Sequence, residues 1–472
     1  MTAQVATRIG VCGAGAMGSG IAEIAAQHGA DVKVFDVSAE ALKGSEARID
    51  KSIARLVEKG KLTGAQGDEA LGRLQWVSDL ADMADRELVI EAVIEDAGIK
   101  ASLFARLEEV LDDRAIIASN TSSLPIGRLA RTLRNSGRFC GMHFFNPATV
   151  MKLVEVISGP ATDPAVTNRV AATATGWGKV AIPVADVPGF IVNRVARPFY
   201  GEAFTALNEG AAQPHEIDAL FRANGFRMGP LELTDLIGQD VNFSVARSVY
   251  DSYFGQTRFV PQLRQAALVD AGWLGRKSGR GVYSYDDGQS ASEEIARPTE
   301  ASDADRDLAK QVLGLKAGTL LESGGVLIGL TRGRTAASEA RAAGKPVVLF
   351  DLIAPDSDGP NGYSVSDESA VQVAQSVAAG LGRAAVRVAD RPGLIVCRTL
   401  AQIANAAADA VFEQVADEQG IDSALRYGAN YPFGPFSFAD RIGRDSLVSI
   451  LQNIAAATGQ PMYSPSQYWS AP

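Results

Sequence analysis

The chain has 472 residues, 46% of them hydrophobic and 21% charged, with a net charge of −10; one core does not hold so many residues, and two to four domains are expected. The acidic balance and a pI near 5.1 argue against a nucleic-acid partner or an anionic membrane surface. No uninterrupted apolar run approaches the roughly 20 residues that span a bilayer.

The stretch "TRIGVCGAGAMGSGIAEIAAQHGADVKVFD" predicts strand, tight turn, helix and second strand. The first strand covers Arg8–Cys12, the helix ends near His28 with Gly29 behind it, and the second strand ends in Asp36. Gly13, Gly15 and Gly18 keep the G-x-G-x-x-G spacing of a dinucleotide fingerprint. Gly13 permits the turn, Gly15 lets a pyrophosphate approach the backbone, and Gly18 lets helix and strand pack closely. Free N–H groups at the helix start, where Ala16 and Met17 stand, face the phosphates. Asp36 is placed to accept both adenosine-ribose hydroxyls and to repel a 2′-phosphate, so NAD is expected as cofactor rather than NADP. The strand begins almost at once, which leaves no room for a signal peptide, and a cytoplasmic location is expected. Cys12, Cys140 and Cys397 are odd in number and lack metal-ligand spacing. They read as small buried residues of a reducing compartment, and no metal site is expected; a reactive thiol at Cys140 stays open.

Beyond Asp36 the sequence predicts a long helix N-capped by Ser38, with a helical hairpin behind it. Residues 87–96 and 115–123 are apolar runs ending in polar residues, as parallel strands of a doubly wound sheet do. "FCGMHFFNP" is a further strand running into a turn at Pro147, and the sheet closes near residues 178–186. Ligands of such sheets bind beyond the carboxyl ends of the strands, where Glu95, Asn120, Ser122 and His143 all fall. His143 is one of three histidines, set among phenylalanines, with Glu155 twelve positions on. Taken alone it reads as a satisfied core histidine.

From Pro188 the texture is helical, and it repeats. "DVPGFIVNR" (186–194) returns as "DRPGLIVCR" (390–398), and "GPLELTD" (229–235) as "GPFSFAD" (434–440), at offsets of 204 and 205 residues. Cys397 stands where the first copy has Asn193. The segment between the copies suggests a small α/β piece without a glycine fingerprint. The expected organisation is therefore a Rossmann-type α/β domain over 1–186, a helical domain over 187–285, the α/β segment over 286–385 and a second, degenerate helical domain over 386–472.

The motifs "GAGAMGSGIA", "EAVIED…K", "SNTSSLPI", "HFFNPATVMKLVEV" and "DVPGFIVNR", in that order, resemble those of the L-3-hydroxyacyl-CoA dehydrogenase family. The resemblance is close over about residues 7–285 and looser over about 386–455. It implies NAD-dependent oxidation of an L-3-hydroxyacyl-CoA to its 3-ketoacyl-CoA. Among the substrates that the long bacterial form implies, linked to phenylacetate or short-chain acyl-CoA metabolism, 3-hydroxybutyryl-CoA and 3-hydroxyadipyl-CoA are favoured. His143 would be the general base, Glu155 would orient it, and Ser122 and Asn193 would contact the substrate hydroxyl or oxyanion. Glu95, Lys100, Asn120 and Ser122 match cofactor positions, with Asp96 where the family carries asparagine. Ser52 and Lys59, two turns apart on one helix face, match coenzyme A positions. Short members dimerise through the helical domain, so the second copy is expected to supply that partner inside one chain as an intramolecular pseudo-dimer; whether the chain forms a homo-oligomer as well stays open. The rival readings are a dehydrogenase of free hydroxy or sugar acids, gulonate-type, and a non-catalytic NAD-binding protein.

Overall fold

Apolar strands alternate with helices through the first half of the chain, and they fold as a doubly wound sheet. The computed structural model describes residues 5–286, 289–290, 295–298, 300–315 and 318–470. The chain divides into two units, one running to Val192 and including Gln414–Ala429, the other formed by Asn193–Glu413 and the residues from Asn430 on.

The first unit contains β1 (Arg8–Cys12), α1 (Ala16–Gln27), β2 (Asp31–Phe35), α2 (Ala39–Glu58), α3 (Gly64–Gly72), β3 (Leu74–Val77), β4 (Leu88–Glu91), α4 (Ala97–Val110), β5 (Ile116–Ser119), α5 (Ile126–Ala130), β6 (Phe139–Phe144), β7 (Leu153–Ser158), α6 (Pro164–Gly176) and β8 (Val180–Ala185). The sheet order is β3-β2-β1-β4-β5-β6-β7-β8, so the winding reverses between β1 and β4. Ile9, Val11, Val32, Val34 and Ile90 fill the core beneath α1. Ser38 caps α2 by accepting the Ala41 N–H at 3.1 Å. Strand β3 was not anticipated; its four residues follow the helical hairpin too closely for a separate hydrophobic period to show. Every pairing in the sheet is parallel except β6–β7. The connection from Phe144 to Leu153 is too short for the crossover that parallel neighbours need, so β7 runs back beside β6. That return sets His143 directly opposite Glu155.

The second unit begins in the short α7 (Val192–Val195) and continues as α8 (Arg197–Asn208), α9 (Pro214–Ala223), α10 (Pro230–Ile237), α11 (Gln239–Ser252) and α12 (Leu263–Asp270). A two-stranded ribbon, β9 (Tyr285–Asp286) and β10 (Gln289–Ser290), and α13 (Asp303–Leu313) follow. Parts of the intervening segment, at 287–288, 291–294, 299 and 316–317, lie outside the described residues. A five-stranded sheet then forms from β11 (Leu321–Ser323), β12 (Val326–Leu330), β13 (Val347–Phe350), β14 (Asn361–Val365) and β15 (Ala385–Arg387), with α14 (Ala336–Ala343) and α15 (Val371–Gly380) between its strands. Helices α16 (Val396–Phe412), α18 (Pro435–Ile442) and α19 (Arg444–Thr458) close the unit, while α17 (Glu418–Gly428) packs on β7 and β8 of the first.

The repeat extends further than the two helical motifs. β12–β13–β14–β15 pair parallel, antiparallel, parallel, as β5–β6–β7–β8 do. Asp186 accepts the first N–H groups of α5 from Ile126 and Gly127 at 2.9 and 2.7 Å. Asp390 does the same for α14, from Ala336 and Ala337 at 2.7 and 2.8 Å. Phe190 and Leu394, at equivalent places, both hold a positive φ, 49° and 51°. The segment is thus a shortened second copy of the back half of the first sheet, without the β1–α1–β2 glycine turn. Counting from the two aspartates along the paired strands, Gly362 falls at the place of Glu155 and Asp351 at that of His143. The copies also exchange one bond each way: Ala185 N–H donates to Val415 O at 2.9 Å, and Ala389 N–H to Ala211 O at 2.9 Å, each residue displaced by 204 positions from its counterpart. Within the second unit α16 lies against α8. Arg398 Nε sits 2.9 Å from Glu202 Oε2, and the Tyr463 hydroxyl donates to Glu202 Oε1 at 2.6 Å.

Candidate active site

The glycine turn between β1 and α1 is shaped by close approach. Gly13 has φ +109°, and a Cβ there would stand 2.5 Å from the Ala92 carbonyl. A Cβ on Gly18 would stand 1.8 Å from the Gly13 carbonyl, with Val11 only at 3.4 Å. Gly18 is therefore required by the turn closing on its own helix, more than by the helix–strand packing expected of it. Gly15 has nothing within 4 Å of such a Cβ, and no side chain caps α1, so the N–H groups that open it at Ala16 and Met17 lie beside open backbone. Asp36 is oriented by two backbone donors, Ala14 N–H to Oδ2 at 2.8 Å and Ser38 N–H to Oδ1 at 2.9 Å. An uncapped helix start, an unfilled Gly15 and a fixed carboxylate at the end of β2 fit a dinucleotide diphosphate and its ribose.

At the ends of β4 and β5 a carboxylate network arranges the next loops. Glu91, fully buried, accepts the Lys100 ammonium at 2.6 Å, the Ser119 hydroxyl at 2.6 Å and the Val93 N–H at 2.7 Å. Lys100 also lies 3.1 Å from Glu95 Oε2 and is itself buried. Glu95 Oε1 accepts the Thr121 hydroxyl at 2.6 Å and the Ser122 and Ser123 N–H groups at 2.9 and 3.1 Å. Burial raises the Glu95 pKa, but the Lys100 charge and these hydrogen bonds outweigh it and hold the carboxyl below its ordinary range. Lys100 thus faces two carboxylates, and its nearest effect is on the loop that carries Ser122. Asn120 Oδ1 accepts the Phe144 N–H at 2.8 Å, tying the end of β5 to β6.

His143 and Glu155 are both buried, and Nδ1 lies 2.7 Å from Oε2. A carboxylate only accepts, so Nδ1 carries the proton. No described residue bonds Nε2. The rings of Phe145 and Phe190 lie tilted against the imidazole, with centroids 4.6 and 5.7 Å from it. The other Glu155 oxygen accepts the N–H groups of Ile191 and Val192, both at 3.0 Å. Asn193 is the next residue along the chain and opens the second unit. Lys179 anchors the loop beyond His143 by donating to the carbonyls of Ala148 and Met151 at 2.6 and 2.8 Å, and burial pushes its ammonium down to about 8.

Ser52 donates to Glu23 at 2.8 Å, and Lys59 is exposed. Helix α2 stops at Glu58, so Lys59 is its C-cap rather than a residue of the same helical face. Cys140 is buried, and burial pushes its thiol up to about 12, which removes it as a nucleophile. Sequence reasoning passed over Glu91, Thr121, Lys179 and Asp186. Glu91 alone left a signal, as an acid inside the apolar run "ELVIEAV". Among the described residues no His/Cys/Asp/Glu cluster suits a metal ion, and no helix is long and apolar enough to cross a membrane.

A doubly wound sheet with a glycine turn at its switch point and a buried His–Glu pair at its carboxyl edge defines an NAD-binding oxidoreductase. Residues 8–187 match the model of the 3-hydroxyacyl-CoA dehydrogenase NAD binding domain, and residues 189–285 and 393–471 match that of the C-terminal domain of the same enzymes. The chain belongs to the 3-hydroxyacyl-CoA dehydrogenase family and is an NAD-dependent enzyme. It is 42% identical to the 3-hydroxyadipyl-CoA dehydrogenase of Escherichia coli K12 over 97% of this chain and 95% of that one. It is 41% identical to the 3-hydroxybutyryl-CoA dehydrogenase of Mycobacterium tuberculosis H37Rv over 59% of this chain and 98% of that one. The crystal structure of a 3-hydroxybutyryl-CoA dehydrogenase from Escherichia coli K12 superposes with a TM-score of 0.91 at 38% identity, covering 99% of this chain and 98% of the other.

Proposed function

We propose that the protein oxidises an L-3-hydroxyacyl-CoA of short or dicarboxylic acyl chain, 3-hydroxybutyryl-CoA or 3-hydroxyadipyl-CoA, to the 3-ketoacyl-CoA, with His143 as the general base. The observation that carries this reading is the buried Nδ1–Glu155 pair, which leaves Nε2 as the ring nitrogen without a partner among the described residues. The hydride acceptor for C3 would be supplied by bound NAD. Nε2 takes the hydroxyl proton as the carbonyl forms, and Glu155 stabilises the resulting imidazolium and fixes its tautomer. Phe145 and Phe190 keep water from the ring. Ser122, held by Glu95, and Asn193, joined to the Glu155-bound backbone at Val192, offer neutral hydrogen bonds to the substrate oxygen. Gly13, Gly15, Ala16, Met17, Gly18, Asp36, Glu95 and Asn120 hold the cofactor, with Lys100 acting through Glu95. Ser52 and Lys59 face the coenzyme A moiety.

The domain reading goes with this assignment: residues 1–186 carry the cofactor, 187–285 the substrate side, 286–385 the shortened copy and 386–472 the second helical copy. In that second copy Asp351, Gly362 and Cys397 stand in place of His143, Glu155 and Asn193, so it serves as a scaffold and supplies inside one cytoplasmic chain the contact that a dimer partner gives elsewhere in the family. Purified protein with NAD and each CoA thioester, read as NADH formation, tests the reaction. Absence of turnover, or wild-type turnover by His143→Ala, overturns it. Oxidation of free hydroxy acids in preference to the thioesters moves the activity to the gulonate-type reading.

A further inference from the structure

Helices α8 and α11 of the second unit, with residues 257–265, Gln402 and residues 460–463, line a cavity of about 520 Å³, within the range of small-molecule sites. Most charges on its wall are matched. Glu202 lies 2.9 Å from Arg398, Glu209 lies 2.6 Å from Arg391, and Arg258 lies 3.0 Å from Asp409. Arg197, in the first turn of α8, is the exception. Among the described residues it has neither a carboxylate partner nor a hydrogen bond, and its Nε is buried without an acceptor. Its closest charge-sensitive neighbour is the ring of Tyr200, 5.0 Å from the guanidinium carbon. Tyr431 stands near enough to feel the same charge; its hydroxyl is buried and unpaired, and the residue is 7% exposed. Burial lowers the Arg197 pKa and raises those of both phenols.

A guanidinium has five donors and no acceptor, and a phenol beside it is best used as a donor. The Arg197 guanidinium and the Tyr200 hydroxyl therefore stand on this wall without a carboxylate partner among the described residues, in a chain that has 55 acidic residues. A guanidinium held half-buried on a cavity wall, its Nε buried without an acceptor, points to an anion from outside. The planar fork suits a carboxylate. Pro198, Ala246, Phe259 and Met462 on the same wall give an aliphatic chain an apolar bed.

We propose that this cavity receives the carboxylate end of a short aliphatic chain, bound by the Arg197 fork with Tyr200 as a further donor. Two molecules carry that chemistry: the distal carboxylate of a dicarboxylic 3-hydroxyacyl thioester, and a free short dicarboxylate. The first rests on the reaction proposed above. Arg197 follows Asn193 by four residues, about 6 Å along a helical path, so the two side chains belong to one stretch of the substrate domain.

Calorimetric titration of the full chain with adipate, butyrate serving as control, reads the site directly. Adipate binding is expected, with affinity falling at least tenfold in Arg197→Gln, less in Arg197→Lys, and several-fold in Tyr200→Phe, a variant that keeps the ring and guards against misfolding of the first. In parallel, the ratio of kcat/KM for 3-hydroxyadipyl-CoA to that for 3-hydroxybutyryl-CoA is measured in each variant. A tenfold fall of the ratio in Arg197→Gln assigns the substrate's own distal carboxylate. A constant ratio with lost adipate binding assigns the free dicarboxylate. If neither adipate affinity nor the ratio responds to any variant, the cavity is no carboxylate receptor. Wild-type protein that oxidises neither thioester refutes the reaction and leaves the adipate titration to judge the cavity alone.

Discussion

Replacing Glu155 by glutamine changes one atom and removes the charge beneath His143. The His143 imidazole and the Glu155 carboxylate are 7% and 1% accessible, so solvent screens little of their interaction. A hydrogen bond to a charged group contributes about 1.5–3 kcal/mol, and unit charges about 4 Å apart at an effective dielectric near 20 attract by about 4 kcal/mol. Geometry adds a second loss. Two backbone N–H groups, of Ile191 and Val192, already require an oxygen from residue 155. Glutamine can give them that oxygen only by turning its NH₂ toward Nδ1, which drives the imidazole proton onto Nε2, where the base must be empty. Loss of about 3–4 kcal/mol corresponds to a fall in kcat/KM of roughly 150- to 900-fold, with the wrong tautomer pushing it toward the ~10⁴ fall in kcat seen when the aspartate of a hydrolase triad becomes asparagine. Steady-state NADH formation gives kcat/KM, and thermal melting gives stability. Glu155→Gln should melt close to wild type, whereas Glu155→Ala also strips the two N–H groups of their acceptor and should lose about 2–4 kcal/mol. Turnover of Glu155→Gln within fivefold of wild type, or equal melting of the two variants, would refute the assignment.

The glycine turn separates folding from binding. Gly15→Ala meets no protein atom and should fold within about 0.5 kcal/mol of wild type yet bind NAD at least tenfold more weakly by fluorescence titration. Gly18→Ala must displace the Gly13 carbonyl and should cost about 1–3 kcal/mol in denaturant unfolding. Lys179 supplies a pH dependence. Its folded pKa of about 8 lies below the ordinary 10.5, so between those values the unfolded chain keeps a proton that the folded chain has shed, and stability from this site rises with pH. The stability difference between wild type and Lys179→Met should therefore grow by about 1–2 kcal/mol from pH 7.5 to 10, allowing for partial solvent access; a flat difference in urea unfolding contradicts it.

The elements of the nucleotide sheet could be read from the chain because each rests on local chemistry: the spacing of Gly13, Gly15 and Gly18, the cap at Ser38, and apolar runs that end in polar residues. What escaped notice depends on pairing between distant residues. Glu91 looked like one more residue of an apolar strand until Lys100 and Ser119 converged on it. Residues 321–390 carry no motif of their own, and only strand directions and the matched caps of Asp186 and Asp390 expose them as a second copy. The twelve-residue separation of His143 and Glu155 signalled proximity only to a reader who knew that β7 turns back. The short loop after Phe144 held that information, since no parallel crossover fits in it.

The exchange of bonds between the copies also bears on how the chain is made. Ala185, the last residue of β8, donates to Val415, and Leu153 and Ile182 are covered where Gly428 and Gly420 of α17 come close. A ribosome that has finished every residue of the nucleotide sheet must still add more than two hundred before that edge acquires its final cover. During this interval the sheet edge beside β7 and β8 is an apolar surface awaiting its own C-terminal strap, the kind of surface that nascent-chain chaperones shield. The nucleotide-binding unit is thus complete only once residues 414–429 have been made.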